Sequence, residues 1–93
     1  MKSHELKVWP TQFAALLAGT KTHEWRRNDR DFAVGDELIL EEYDPAGDDM
    51  ERYTGRKLWA IVTWLTEGFG VPAGWCCMSV RIEREKTGDT SNG

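Results

Sequence analysis

Three charged residues, Lys21, Glu24 and Arg26, stand where a predicted helix passes into a predicted strand. In an extended chain the side chains alternate between two faces, so Glu24 and Arg26 share one face and Lys21 lies at its rim. A carboxylate between two cations stays ionised near neutral pH, and such cations can hold a phosphate, a carboxylate or a base edge. The spacing is compatible with a ligand site. The residues alone favour the alternative, an exposed salt-bridge network, which stabilises little.

Two further arginines follow this trio and could extend it into a phosphate-binding edge. They are Arg27 and Arg30, with Asp29 and Asp31 close enough in the sequence to neutralise them. We therefore include Arg27 and Arg30 among the candidate ligand-binding residues, after Lys21, Glu24 and Arg26.

Tryptophan is used heavily for so short a chain, at positions 9, 25, 59, 64 and 75. Exposed aromatic rings near basic residues stack on the bases of single-stranded nucleic acid, whereas a small core also needs bulky side chains. We expect roughly three of the five to fill the core, Trp25 and Trp64 foremost. Trp9, beside the predicted helix start, is the best stacking candidate, and Trp75 is the second.

The histidines and cysteines lack the spacing of a catalytic triad or a metal site. We interpret His4 and His23 as polar edge residues. Cys76 and Cys77 are adjacent, point to opposite faces of a strand and are poorly placed to bridge each other, so we expect reduced thiols. No metal site and no cofactor is predicted.

Length and charge limit the number of domains and the kinds of partner that the chain can have. The 93 residues suit one domain, predicted over residues 1–84 and followed by a disordered tail over residues 85–93. The net charge of −4 argues against a general nucleic-acid binder, but residues 32–51 carry eight acids and no base. A basic face opposite an acidic one, or an evenly solvated surface, fits this pattern.

Without a leader or long apolar run, we expect a cytoplasmic protein with no membrane partner, either a monomer or a weak dimer.

Hydrophobic periodicity and turn residues place the elements. Strands are predicted over residues 3–9, 22–28, 52–54, 56–66 and 75–83, and a helix runs from Pro10 to a stop at Gly19. A tight turn over residues 34–36 starts a further strand through Leu38, Leu40 and Tyr43. The fold class is mainly β with one or two short helices, arranged as a small, strongly bent or closed β-barrel with a helix against one side. An open α+β sheet is the alternative.

Several short motifs, in this order and spacing, resemble a small phage and bacterial family that is described as a domain of unknown function and is similar to the ASCH domains of the PUA-like superfamily. The motifs are Leu6-Lys7-Val8-Trp9-Pro10, Gly19-x-Lys21-x-x-Glu24-x-Arg26, Asn28-Asp29-Arg30-Asp31-Phe32-x-Val34-Gly35-Asp36, Glu42-Tyr43-Asp44-Pro45 and Tyr53-Thr54-Gly55-Arg56. The resemblance covers about residues 3 to 83. It implies a PUA-like β-barrel whose cleft is faced by Lys21, Glu24 and Arg26.

The resemblance also implies a function, namely binding of RNA or of a nucleotide-like small molecule in that cleft. Some ASCH relatives are amidohydrolases of acylated cytidine, which would make Lys21 and Glu24 catalytic. The resemblance implies that those enzymes use a lysine, a threonine three residues later and a distant glutamate. This chain has Glu24 in place of the threonine, and it lacks the insertion expected to carry the distant glutamate. Binding without catalysis is therefore the first prediction and hydrolysis the second. A phage-derived interaction module with an acidic 32–51 face is the third.

Overall fold

A computed structural model describes residues 1–48 and 51–87 of the chain. Its elements, in chain order, are β1 (Ser3–Val8), α1 (Pro10–Ala18), β2 (His23–Arg27), β3 (Glu37–Tyr43), β4 (Tyr53–Thr66) and β5 (Trp75–Lys86). The prediction of a mainly β fold with a short helix after the first strand is confirmed.

The five strands form one sheet in the order β1-β3-β4-β5-β2. β1 runs parallel to β3, and the other neighbouring strands are antiparallel. The sheet curls into a half-barrel whose edge strands are β1 and β2. Among the described residues these two edges are joined by side chains rather than by a ladder of backbone hydrogen bonds, so the barrel is not closed by strand pairing.

The helix begins and ends where its sequence predicts. Pro10 occupies the first turn, where its missing N–H costs nothing, and Phe13 and Leu16 are the buried side chains. Gly19 ends the helix at φ 81°, a left-handed conformation that glycine adopts without a Cβ penalty. Its N–H donates to the carbonyls of Ala15 and Leu16, and the chain then turns toward β2.

The core fills the inner face of the curled sheet under α1. Alternate residues of four strands supply it, as the period of two requires. The buried apolar residues are Leu6, Val8, Phe13, Leu16, Phe32, Leu38, Leu40, Leu58, Ala60, Val62, Cys76, Met78 and Val80. No helix in the described part of the chain is long and apolar enough to cross a bilayer.

Two strand boundaries differ from the prediction. Residues 53–66 form one strand rather than two, because Gly55, at φ 89°, lies inside β4 where its register with β3 shifts. β5 continues to Lys86, where Lys57 and Leu58 of β4 supply backbone partners. The prediction of a tail from residue 85 is therefore wrong for Glu85 and Lys86. Residues 88–93 lie outside the described part.

The tryptophan assignment is wrong for the two residues expected foremost in the core. Trp25 is 47% exposed and Trp64 is 65% exposed. Trp25 lies on an edge strand and points away from Glu24, the buried residue beside it, while Trp64 follows a register shift in β4. The core of the described residues consists instead of aliphatic, Phe, Met and Cys side chains, and none of its members is a tryptophan.

Candidate functional site

The two edge strands of the sheet meet at a gap that arginine side chains span. Arg26 Nη2 donates to the carbonyl oxygen of Lys7 at 2.7 Å, and Arg30 Nη1 donates to the carbonyl oxygen of Glu5 at 2.7 Å. We call this gap between β1 and β2 the seam. The guanidinium groups satisfy edge carbonyls of β1 that lack a neighbouring strand.

The charged trio predicted from the sequence converges beside the seam. Glu24 is buried, and its two carboxylate oxygens accept from Lys21 Nζ at 2.7 Å and from Arg26 Nε at 2.9 Å. Lys21 Nζ also donates to the carbonyl oxygen of His23 at 2.7 Å. The trio is thus a buried carboxylate held between two cations that are themselves only partly exposed.

Local structure explains this convergence. The left-handed Gly19 lets the backbone N–H groups of Thr20 and Lys21 donate to the carbonyl of Ala15, which fixes where Lys21 leaves the helix. Glu24 and Arg26 then follow on the inward face of β2, two residues apart. Helix end and strand phase together place the three side chains on one wall.

An open cavity of about 320 Å³ lies against this wall. Lys21, Glu24 and Arg26 line it together with two exposed tryptophans, Trp9 and Trp25, and its remaining lining residues are Lys7, Val8, Gln12 and His23. We call this cavity the cleft. Its volume is at the lower end of the range typical of small-molecule sites. Trp9, the best stacking candidate from the sequence, is among the residues that line the cleft.

Arg27 and Arg30 lie farther along the seam. Both line a second cavity of about 310 Å³, with Trp25 and Trp75. The guanidinium carbon of Arg27 lies 5.2 Å from the centroid of the Trp75 ring, a cation–π contact. A third cavity, of about 410 Å³, is lined by Arg26 and Arg30 and carries Tyr53 on its wall. Tyr53 and Lys7 were missed as seam residues, since only tertiary structure brings β4 toward β1.

The interpretation of His4 as a polar edge residue is wrong. His4 is buried, and its Nε2 lies 2.9 Å from Oδ2 of Asp36, while its ring meets Phe32 edge-on. Burial raises the pKa of Asp36, but hydrogen bonds from His4 and from the backbone N–H groups of Lys2 and Ala33 outweigh it, so the net shift is downward. The contact between His4 and Asp36 connects β1 to the turn before β3. His23 is exposed, on the cleft wall.

A second buried carboxylate was also missed. Glu42 accepts from Thr54 Oγ1 at 2.7 Å and lies 3.4 Å from Arg56 Nη1. The guanidinium of Arg56 lies over the ring of Phe13. The signal was present in the sequence, because Glu42 has the same phase in β3 as the inward Leu38 and Leu40.

The acidic stretch is less of a surface than its composition suggests. Of the residues described there, Asp36 and Glu42 are buried, and Glu41 lies 3.8 Å from Lys57. An acidic interaction face over residues 32–51 would therefore present only part of the charge of that stretch at the surface.

The adjacent cysteines are both free. Cys76 is buried in the core, and burial, with smaller contributions from Glu67 and Cys77, raises the pKa of its thiol. Among the described residues no group of three or more His, Cys, Asp or Glu side chains could hold a metal ion.

The cleft wall bears on the hydrolase alternative. Covalent catalysis through a hydroxyl or thiol nucleophile is not supported by this wall, because none of the described residues that line the cleft is Ser, Thr, Cys or Tyr. Both oxygens of Glu24 already accept hydrogen bonds. Hydrolysis with Lys21 and Glu24 as catalytic residues stays a prediction, and it would require an activated water in the cleft.

Comparison with known proteins identifies the family. The family described as "Domain of unknown function (DUF3850)" matches residues 3–80. The chain belongs to it. The DUF3850 match begins in β1 and ends in β5, so it includes the charged trio, the cleft and both sides of the seam. The prediction of a small phage-related family of unknown function is confirmed.

A phage protein is similar to this chain. The "Uncharacterized 12.9 kDa protein in GpA 3'region" of Escherichia phage P2 is 38% identical over 66 residues, which are 71% of this chain and 56% of the phage protein. The chain therefore spans little more than half the length of that relative.

Proposed function

We propose that this DUF3850 chain is an ASCH-like member of the PUA-like superfamily and that it binds RNA or a nucleotide in its cleft. A mainly β fold with a curled sheet and a helix after the first strand is compatible with that affiliation. The proposal is supported by Lys21, Glu24 and Arg26 of the Gly-x-Lys-x-x-Glu-x-Arg motif, which line one cavity.

One observation carries the proposal: cations and exposed aromatic rings line the same cavity. Lys21 and Arg26 offer N–H donors for phosphate or a base edge, while Trp9 and Trp25 offer rings on which a base can stack. A purely structural salt bridge would not require two large apolar side chains to remain in water beside it. Exposed aromatics next to cations are typical of nucleotide recognition.

The geometry changes the role expected for Glu24. Only 5% of its side chain is exposed, and its oxygens are engaged by Lys21 and Arg26. We therefore assign Glu24 to positioning the two cations rather than to accepting a hydrogen bond from a base. Lys21 and Arg26 retain N–H groups that can donate to a ligand, since an ammonium has three donors and a guanidinium five.

The experiment compares two tryptophans of similar exposure. Trp9 lies on the cleft, and Trp64 does not line it. Affinity for uridine monophosphate and for a short single-stranded uridine RNA is measured by calorimetry at low salt. Because base stacking is worth about 1–3 kcal/mol per base, Trp9→Ala should weaken binding about tenfold, while Trp64→Ala leaves it unchanged.

Two results would overturn the proposal. One is the absence of binding of either probe at low salt by the unmodified chain. The other is an equal loss of affinity in Trp9→Ala and Trp64→Ala, which would show that the cleft is not the site. Turnover of an acylated cytidine that disappears in Lys21→Met would promote the hydrolase alternative.

A further inference from the structure

The cleft is one of three neighbouring cavities along the seam, which together we call the groove. All three have Arg26 in their walls, and the second and third also share Arg30 and Leu6. The three spaces, of about 320, 310 and 410 Å³, are therefore adjacent to the same arginine side chain. A single nucleotide would leave most of this groove empty.

The two seam arginines are anchored on carbonyl oxygens that lie a short distance apart on β1. Arg26 is anchored on the carbonyl of Lys7 and Arg30 on that of Glu5, two residues earlier in the same strand. Since a strand rises 3.2–3.4 Å per residue, the two anchor carbonyls lie about 6–7 Å apart. Successive phosphates of an extended nucleic-acid strand lie a comparable distance apart.

Each anchored guanidinium keeps donors for a ligand. In the hydrogen bonds of the described residues, Arg26 uses Nε and Nη2 and Arg30 uses Nη1. Arg26 Nη1 and Arg30 Nη2 are thus available to phosphate oxygens, and the backbone anchors hold both groups in place before a ligand arrives. Preorganised guanidinium groups lose less entropy on binding than free side chains.

Aromatic rings accompany the arginines along the groove. Trp9 and Trp25 border the cleft, Trp25 and Trp75 border the second cavity, and Tyr53 borders the third. These rings offer stacking faces to bases that are not stacked on one another, which requires a single strand.

Acidic side chains limit the length of the site. Asp29 lies on the second cavity, and Glu5 and Glu41 lie on the third. These carboxylates would repel further phosphates, in keeping with the net charge of −4. The groove therefore suits a short strand with few phosphate contacts.

From these observations, and resting on the proposed function, we propose that the seam binds a single-stranded nucleic acid of at least two nucleotides. One phosphate lies at Arg26 and the next at Arg30, and a base stacks on Trp9 or Trp25 in the cleft.

The test measures affinity against ligand length. Quenching of tryptophan fluorescence is titrated with uridine monophosphate and with uridine di-, tetra- and hexanucleotides, together with thymidine oligonucleotides of the same lengths and a double-stranded RNA. We expect affinity to rise about tenfold from the monophosphate to the tetranucleotide and to change little beyond it. RNA tighter than DNA would show that the 2′-hydroxyl contributes, whereas equal affinities would show that the seam reads only phosphates and bases.

Variants assign the second phosphate. For single strands the slope of log K against log salt is about −0.7 per phosphate contact, so two contacts give about −1.4. Arg30→Gln should reduce that slope, measured with the tetranucleotide, by about 0.7 and weaken binding of the tetranucleotide. Arg84→Gln, which removes a guanidinium from the Trp59 ring rather than from the seam, is the matched control.

A second variant keeps the test valid if Arg30→Gln does not fold. Asp29 is exposed, lines the groove and makes no side-chain hydrogen bond or ion pair within the described part of the chain. Asp29→Asn should therefore tighten oligonucleotide binding without disturbing the fold or changing monophosphate binding. The proposal is overturned if the monophosphate binds as tightly as the hexanucleotide, if double-stranded RNA binds best, or if Asp29→Asn has no effect. In the first of these outcomes the proposed function survives, whereas loss of all binding defeats both.

Discussion

Arg26 connects the two edges of the sheet, because its Nη2 donates to the carbonyl oxygen of Lys7 at 2.7 Å. Its Nε holds Glu24 at 2.9 Å, so one guanidinium takes part both in the seam and in the charged trio. Closure of the half-barrel and organisation of the cleft therefore depend on the same side chain.

The first prediction concerns this double contact. Arg26→Lys keeps the charge but loses the planar fork that reaches both partners, so Glu24 or the Lys7 carbonyl loses a donor. We expect a loss of about 1–3 kcal/mol in the free energy of unfolding, measured by urea denaturation. Arg27→Lys, at an exposed residue in the same strand, should change it by less than about 0.5 kcal/mol. Equal effects of the two variants would show that the seam contact contributes nothing.

The second prediction concerns acid stability. Asp36 has a lowered pKa in the folded chain, so its contribution is present above its unfolded value of 3.8 and is lost as the pH falls through the folded value. Asp36→Asn should cost about 1–3 kcal/mol at pH 7, and its difference from the unmodified chain should shrink below pH 3.8. Urea denaturation at a series of pH values measures this.

The control for that series is Asp31→Asn, which alters an exposed carboxylate 3.7 Å from Lys2. Its stability should follow that of the unmodified chain at each pH. An Asp36→Asn deficit that stays constant into acid would mean that the carboxylate charge is not the source of the stability.

The third prediction concerns the paired cysteines. The thiol of Cys76 is buried and its pKa is raised, so it carries little of the reactive thiolate near pH 8. A thiol-specific reagent should label half-buried Cys77 first and reach Cys76 only on unfolding, as read by mass spectrometry with and without urea. Cys77→Ser should abolish native labelling, and rapid labelling of that variant would contradict the buried position of Cys76.

The fourth prediction concerns the loop between β4 and β5. Gly68, Phe69 and Gly70 all have positive φ, of 76°, 53° and 90°. Gly70→Ala should destabilise by about 1 kcal/mol, since a Cβ is strained there. Phe69→Asn is the control, because Asn tolerates this conformation and a 99% exposed ring stabilises nothing by burial. Its thermal midpoint should stay the same or rise, and a fall would reveal a contact made by Phe69.

Local chemistry in the sequence was sufficient to predict most elements of the fold. The period-two pattern in β1 and the Pro10 start and Gly19 stop of α1 depend on neighbours in the chain, and all of them could be recognised. The trio of Lys21, Glu24 and Arg26 could be recognised for the same reason, since a helix end followed by a strand fixes their relative directions.

Tertiary structure decided the rest, because burial depends on which strands become neighbours. Trp25 and Trp64 have core-like side chains but remain 47% and 65% exposed, while polar His4 is buried with Asp36 once β1 pairs with β3. The contacts to β1 from Arg26 in β2 and from Arg30, which follows β2, span 19 and 25 residues of sequence. A contact at such separation leaves no periodic signal, so the sequence by itself determined the charged trio, and only the curl of the sheet made it the wall of a groove.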